Sequence, residues 1–274
     1  MKGVPAIRSA ARGLRNVWQD LRPLPRARYL PNTPNTGGDT PIEVFFPPTI
    51  STLAESALSR ASAEYVVCVL KKLEQTNETD GQELFYLWGQ GRFGEYWRYA
   101  DSTTVLVAAS MAIRPKTYLE IGVRRGRSSA IVGSLCPDCA IYGFDLWLEG
   151  YAGIENPGPD FVRGELRKVG HTGEVKLTSG DSRSTVPAFL AQHPNLFFDV
   201  INVDGDHSVA GAARDLVNVL PRLKIGGVIV FDDIVSAPAL MRVWKWLVRQ
   251  DDRYRAWEFI DAPAGIAAAI RVAQ

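Results

Sequence analysis

The chain has 274 residues, 46% hydrophobic and 22% charged, the composition of an ordinary soluble globular protein with length for one large domain and an appendage. A formal net charge of +1 argues against a protein built mainly to hold nucleic acid, and no run of about 18 apolar residues is present to span a bilayer. Three cysteines, an odd number, argue against a disulfide framework, and the N-terminus has no apolar signal core, so the expected location is the cytoplasm.

The first 40 residues carry seven Lys or Arg and two Asp or Glu, a net +5 that leaves −4 for the remainder. Within them Val4, Ile7, Ala11, Leu14, Trp18 and Leu21 recur at helical spacing, with Arg8, Arg12 and Arg15 on other faces. A basic amphipathic helix over residues 1–21 lies on its own domain or another subunit, or else contacts a membrane surface or a partner. An arm of this kind also suits a homo-oligomer. Seven prolines between residues 22 and 50, with Gly37-Gly38, predict an extended linker that completes an N-terminal segment of residues 1–50. From Thr52 to about Arg114 the apolar spacing is helical, which predicts a helical cap over residues 51–114. The aromatic stretch Phe85–Trp97 either packs this cap onto the rest of the protein or lines an acceptor pocket.

From Thr117 the pattern alternates. Strands are predicted at 117–122, 140–145, 174–179, 197–203 and 227–233, with helix-like segments between them. The C-terminal end differs: AWEFID at 256–261, a turn, then IAAAIRV at 266–272 read as a hairpin. Residues 115–274 are therefore expected to form an α/β domain, a Rossmann-like doubly wound sheet that is mostly parallel with a C-terminal antiparallel hairpin.

In an open α/β sheet, ligands sit beyond the carboxyl ends of the strands. Acids fall there on strand after strand: Glu120, Asp145, Asp181, Asp204 and Asp232-Asp233. A helix cap accounts for Asp181 or Asp206 alone, but not for five strands together. In the first loop, Gly122 and Gly126 permit a tight turn, and the next helix starts near Ser128 with its N-terminal dipole turned to the crevice. A dinucleotide site calls for G-x-G-x-x-G, whereas this loop reads E-x-G-x-x-x-G. A carboxylate at Glu120 repels a pyrophosphate and attracts an ammonium group. Asp145 suits two ribose hydroxyls, and Gly180-Asp181-Ser182 suits an adenine amino group. An amine, a ribose and an adenine without phosphate describe S-adenosylmethionine.

With these residues in place, Thr117 to Val272 resembles a class I S-adenosylmethionine-dependent methyltransferase. LEIGVRRGRSS, VDGDHSVAGAARDL and LKIGGVIVFDDI are together similar to the family of macrocin-type and aminocoumarin sugar O-methyltransferases. The resemblance implies cofactor contacts from Glu120, Gly122, Val123, Gly126 and Ser128 at the methionine end. It implies further contacts from Asp145 and Leu146 at the ribose, Asp181 and Ser182 at the adenine edge, and Asp204. It also implies Mg²⁺ on Asp204, Asp232 and Asp233, and a general base at His207. Arg124 stands where the common form of the loop has its middle glycine.

The metal reading also stands on chemistry. Mg²⁺ takes a few carboxylates and keeps several waters, and Asp204 and the Asp232-Asp233 pair end neighbouring predicted strands. Coordination lowers the pKa of a bound hydroxyl, and His207 could then take its proton, a structural contact to Asp204 being the alternative. Asp206 is expected to cap the helix beginning near Ser208. His171 and His193 fall in polar loops without an evident role, and Cys136-Pro-Asp-Cys139 lacks the partners of a zinc site. The glycine- and proline-bearing stretch Trp147–Pro159 reads as a cover over the cofactor. The expected function is an S-adenosylmethionine- and Mg²⁺-dependent O-methyltransferase acting on a hydroxyl of a small-molecule acceptor, a sugar or other natural-product moiety. The alternatives are a metal-independent methyltransferase and a non-catalytic S-adenosylmethionine-binding regulatory protein.

Overall fold

A computed structural model describes residues 49–150, 153 and 155–274. The basic amphipathic helix and most of the linker expected for residues 1–50 lie outside the described residues. Four helices come first: α1 (Ile50–Ala57), α2 (Arg60–Leu70), α3 (Asn77–Phe93) and α4 (Ser102–Ile113). Strands and helices then alternate as β1 (Thr117–Ile121), α5 (Arg127–Leu135), β2 (Ala140–Asp145), α6 (Pro159–Lys168), β3 (Val175–Ser179), α7 (Ser182–Gln192) and β4 (Phe198–Val203). The chain closes with α8 (Val209–Val219), β5 (Leu223–Phe231), α9 (Pro238–Trp244), β6 (Tyr254–Phe259) and β7 (Ile266–Arg271). Among the described residues no helix is long and apolar enough to cross a membrane.

The helix starts follow local chemistry. Thr49, Ser59, Thr76, Asp101 and Ser208 each accept a first-turn backbone N–H at the head of α1, α2, α3, α4 and α8. Asp101 adds a reciprocal box with Thr104, which fixes the direction in which α4 enters the fold.

All seven strands form one sheet in the order β3-β2-β1-β4-β5-β7-β6. The first five are parallel, and β7 pairs antiparallel with both β5 and β6. This is the doubly wound sheet with a C-terminal antiparallel hairpin that the strand pattern predicts. The expected strand at 227–233 is displaced: β5 starts at Leu223, where it pairs with Phe198 through an irregular register, and ends at Phe231. Asp232 and Asp233 therefore lie in the loop beyond the sheet.

Side chains alternate between two packed faces, as strand geometry requires. Tyr118, Ile141, Val200 and Val228 pack with helices α1, α2, α4, α5 and α6. Leu119, Ile121, Phe144, Ile201 and Phe231 pack with α7, α8 and α9. Helix α4 is apolar nearly all round, with Thr103 through Ser110 all buried, because it lies between the sheet and the outer helices. The helices of 51–114 thus share one core with the sheet. Connections to β2 and β3 run outward from β1, whereas α7 returns the chain past β1 to β4. That reversal opens a crevice between the carboxyl ends of β1 and β4.

Candidate active site

A cavity of about 580 Å³ occupies this crevice. The chain can approach it closely because Gly122, with φ 89°, passes against the next strand's loop. A Cβ at Gly122 would stand 1.8 Å from the Asp204 carbonyl oxygen. Gly126, with φ 77°, turns the loop into α5, and a Cβ there would meet Val162 at 2.8 Å. Arg124 takes a left-handed conformation (φ 49°) at the middle of the same loop, and its N–H donates to Asp145 Oδ2 at 2.7 Å. The Trp147 N–H donates to Asp145 Oδ1 at 2.6 Å, so one carboxylate ties the β1 and β2 loops together.

Gly122, Ser128, Asp145, Leu146, Asp181, Ser182 and Asp204, all expected around a cofactor, line the cavity. Three expected residues do not. Glu120 is fully buried one register step inside the sheet edge, opposite Asn202; Ser129 Oγ donates to its Oε2 and Asn202 Nδ2 to its Oε1 at 3.2 Å. Burial pushes its carboxyl up to about 7, while Ser129, Ser128 and Asn202 restrain the rise. Val123 turns into the apolar core at 3% exposure, and Gly126 serves as the turn that begins α5. Asp181 caps α7, and Arg183 holds its carboxylate below the ordinary range through an ion pair at 2.6 Å.

The acids beyond β4 and β5 converge. His207 Nε2 lies 3.4 Å from Asp204 Oδ1 and 3.1 Å from Asp233 Oδ2. One ligand atom from each of Asp204, His207 and Asp233 falls within 4.8 Å of the others. Asp232, expected as a third ligand, lines the same cavity outside that trio, and its Oδ1 accepts the Asp233 N–H at 2.8 Å. Asp233 holds a left-handed φ of 62°, unusual for a residue other than glycine, and Ser236 Oγ donates to its Oδ1. Burial raises the carboxyl pKa of both Asp204 and Asp232; the His207 contact restrains Asp204, and the Asp204 charge raises Asp232 further. The Asp204 contact raises His207 in turn, so in the absence of a cation the imidazole holds its proton to higher pH. Two or three carboxylates with one imidazole are a donor set that accommodates a divalent cation; the carboxylates suit Mg²⁺ best, since it prefers oxygen.

The helix expected near Ser208 begins at Val209 with Ser208 as its cap, and Asp206 Oδ1 instead accepts the Ser208 N–H at 2.8 Å. His171 is buried at 7% exposure rather than lying in an open loop, and burial lowers its pKa. Cys136 and Cys139 are buried thiols, and no histidine joins them in a metal-holding group among the described residues. Within the aromatic stretch Tyr86 is buried and Trp97 stacks on Tyr99 just beyond it at 5.4 Å, whereas Trp88 and Tyr96 stand exposed; Leu148 and Asn156 of the expected cover line the cavity.

The cavity also has walls that sequence reasoning did not find. Ser102 and Thr103 enter at the head of α4, and Gln82 of α3 accepts a hydrogen bond from Arg127 at 2.7 Å. The D-S-T-T capping signature at 101–104 marks the start of a helix, but nothing local says that it faces the crevice.

Residues 119–234 match the model of a family described as a methyltransferase domain. No protein of curated function matches the chain. Among solved structures, the O-methyltransferase TomG from Streptomyces achromogenes, in complex with SAM, is 17% identical, with 67% of this chain and 86% of TomG covered and a TM-score of 0.51. Cofactor-bound Rv0187 from MTB is 16% identical, with 84% of this chain and 99% of that one covered and a TM-score of 0.50. The matched residues run from β1 to just beyond β5, the strands whose carboxyl ends bound the crevice, and the chain shares its fold with these solved structures.

Proposed function

We propose that the protein is an S-adenosylmethionine-dependent O-methyltransferase that methylates a hydroxyl of a small polar acceptor, a sugar or another natural-product moiety, with help from Mg²⁺. The observation that carries this reading is the division of one cavity into two chemically different ends. Asp145, Leu146, Asp181 and Ser182, after β2 and β3, form an end suited to a nucleoside. Asp204, His207, Asp232 and Asp233, after β4 and β5, form an acidic end, and Ser102 and Thr103 line the same cavity. TomG, of the same fold, is in complex with SAM, which supports the cofactor assignment.

Asp145 retains lone pairs beyond the two backbone contacts it makes and can accept from ribose hydroxyls. Asp204 and Asp233, with Asp232 beside them, would hold the cation, whose chemistry is to lower the pKa of a hydroxyl bound to it. Ser102, Thr103 and Gln82 would orient the acceptor, and alignment supplies much of the rate in a displacement at a methyl carbon. His207, held beside Asp204 and Asp233, would take the hydroxyl proton.

The arrangement of His207 between two carboxylates also favours a second reading, in which the imidazole and its acids move the proton without a metal. Labelled methyl transfer to a panel of sugars and phenols, with EDTA and then with added Mg²⁺, decides between them. Turnover abolished by EDTA and restored by Mg²⁺ is expected; turnover indifferent to chelation selects the metal-free reading, and no transfer to any acceptor opposes the enzyme assignment.

A further inference from the structure

Helix α3 has two faces of unlike character. Inward, Tyr86 is buried with its hydroxyl donating to Asp101 Oδ2 at 2.6 Å, and Gln82 stands on the cavity wall. Gly89 takes the Trp97 indole so closely that a Cβ there would lie 2.2 Å from the ring. Outward, Leu84 and Trp88 are 65% and 62% exposed, with Leu87 and Phe93 beside them and Tyr96 just past the helix end. Together with Phe85 these are six of the twelve large hydrophobic side chains that stand exposed among the described residues, all on one helix and the turn that follows it. Single exposed apolar residues are ordinary, but a contiguous group marks a surface that something covers. The outward face also carries Gly81 and Gly91, where an added Cβ would meet no described atom within 4 Å. Glycine inside a helix destabilises it relative to alanine, and no described neighbour requires the small size at these two positions.

The order of residues along the outward face points to its occupant. Tyr86 lies midway between Asp80 and Arg92, between Gly81 and Gly91, and between Leu84 and Trp88. Two copies of α3 packed antiparallel about a two-fold axis at the level of Tyr86 therefore bring Asp80 against Arg92, Gly81 against Gly91 and Leu84 against Trp88. A two-fold interface needs this self-complementarity, because each contact is made twice with the roles exchanged. Asp80 and Arg92 are both exposed and neither makes an ion pair with another described residue; the Arg92 guanidinium rests on the Phe93 ring, 5.4 Å from its centroid. The opposite charges favour the antiparallel register over a parallel one, in which like charges would meet at each end. The glycines let the backbones approach, and Leu84 and Trp88 fill the centre. We propose that α3 is the interface of a two-fold symmetric dimer, its outward face docking on the same face of a second copy of this chain. Because the inward face of the helix carries Gln82, the dimer would brace one wall of the cavity. The inference stands independently of the cofactor and the metal.

Light scattering after size exclusion, on the full chain over a range of concentrations, reads the mass. The parent is expected as a dimer, and Trp88→Glu should raise its dissociation constant at least about a hundredfold, the scale of a central aromatic anchor lost from both copies. Leu84→Glu carries the test if Trp88→Glu does not fold. At low salt Asp80→Arg and Arg92→Asp should each weaken self-association about tenfold, because each sets like charges face to face at both ends of the interface. Mixed together, the two variants should associate with each other within about threefold of the parent affinity, since every end contact is again between opposite charges. That rescue depends on Asp80 of one copy facing Arg92 of the other. A dimer that keeps the parent affinity in folded Trp88→Glu or Leu84→Glu uses another surface and overturns the proposal. Charge variants that self-associate like the parent, or that fail to pair when mixed, overturn it as well. So does a parent chain that is monomeric throughout: the face is then covered by residues 1–48 of the same chain or, where the parent floats with anionic phospholipid vesicles, by a membrane surface.

Discussion

Glu120 and Asp204 are two acids on adjacent strands of the same sheet, and they have opposite fates. In the β1–β4 register Glu120 pairs with Asn202, so Asp204 lies two residues, about 7 Å, further along its strand. That step carries it past the last ladder bond, where its own N–H closes on the Ile121 carbonyl and its side chain opens into the cavity. Glu120 stays inside, fully buried, its oxygens occupied by Ser129 and Asn202. Where an acid at a strand end lies thus depends on where pairing stops, and a shift of two residues separates a buried, hydrogen-bonded acid from one that lines the cavity.

The largest effect that would break this contrast is expected at Asp204. Asp204→Asn should lower turnover by at least about a hundredfold, the scale of a lost proton-transfer or charge-stabilising group, while S-adenosylhomocysteine affinity changes by less than about threefold. Equal losses in both would place Asp204 in cofactor binding instead. Glu120→Gln should do the reverse, leaving the chemistry and changing stability with pH. The buried Glu120 titrates at about 7, above the ordinary 4.5. Below about pH 4.5 it is protonated in folded and unfolded chains alike and costs nothing; above about 7 it is ionised in both, and the buried charge opposes folding in full. Wild-type stability should therefore fall as pH rises from 4.5 to 7, by up to about 3 kcal/mol, a loss that Glu120→Gln should abolish in denaturant titrations. Parallel pH profiles for the two proteins would show that Glu120 carries no such charge. The smallest effect belongs to Asp206, which lines the cavity while its Oδ1 accepts the Ser208 N–H at the head of α8: Asp206→Ala should cost about 1 kcal/mol in melting experiments and leave turnover within about twofold. A large loss of turnover there would move Asp206 into the chemistry.

Much of this was legible in the sequence, for a physical reason. Strand β2 is read correctly at 140–145 because Asp145 ends an unbroken apolar run, and the acids at 204, 232 and 233 follow similar runs. The period of two reports which face a residue takes, but not how far its ladder extends, which is why Glu120 was expected in the cavity. Ser102, Thr103 and Gln82 reach the site from helices far upstream, and His207 meets Asp233 across two strand ends; such juxtapositions come from the winding of the sheet rather than from local pattern. Asp215 shows the opposite limit, since a single acid on a helix looks solvated until its burial is known.

The central claim is that the crevice between β1 and β4 is a cofactor site held by the β2 and β3 loops. Calorimetry with S-adenosylhomocysteine tests it most directly, in the parent chain and in Asp145→Ala. One molecule bound per chain, with affinity weakened at least about tenfold in a folded Asp145→Ala, is the predicted result. Absence of binding by the parent chain, or binding that Asp145→Ala leaves unchanged, would contradict it.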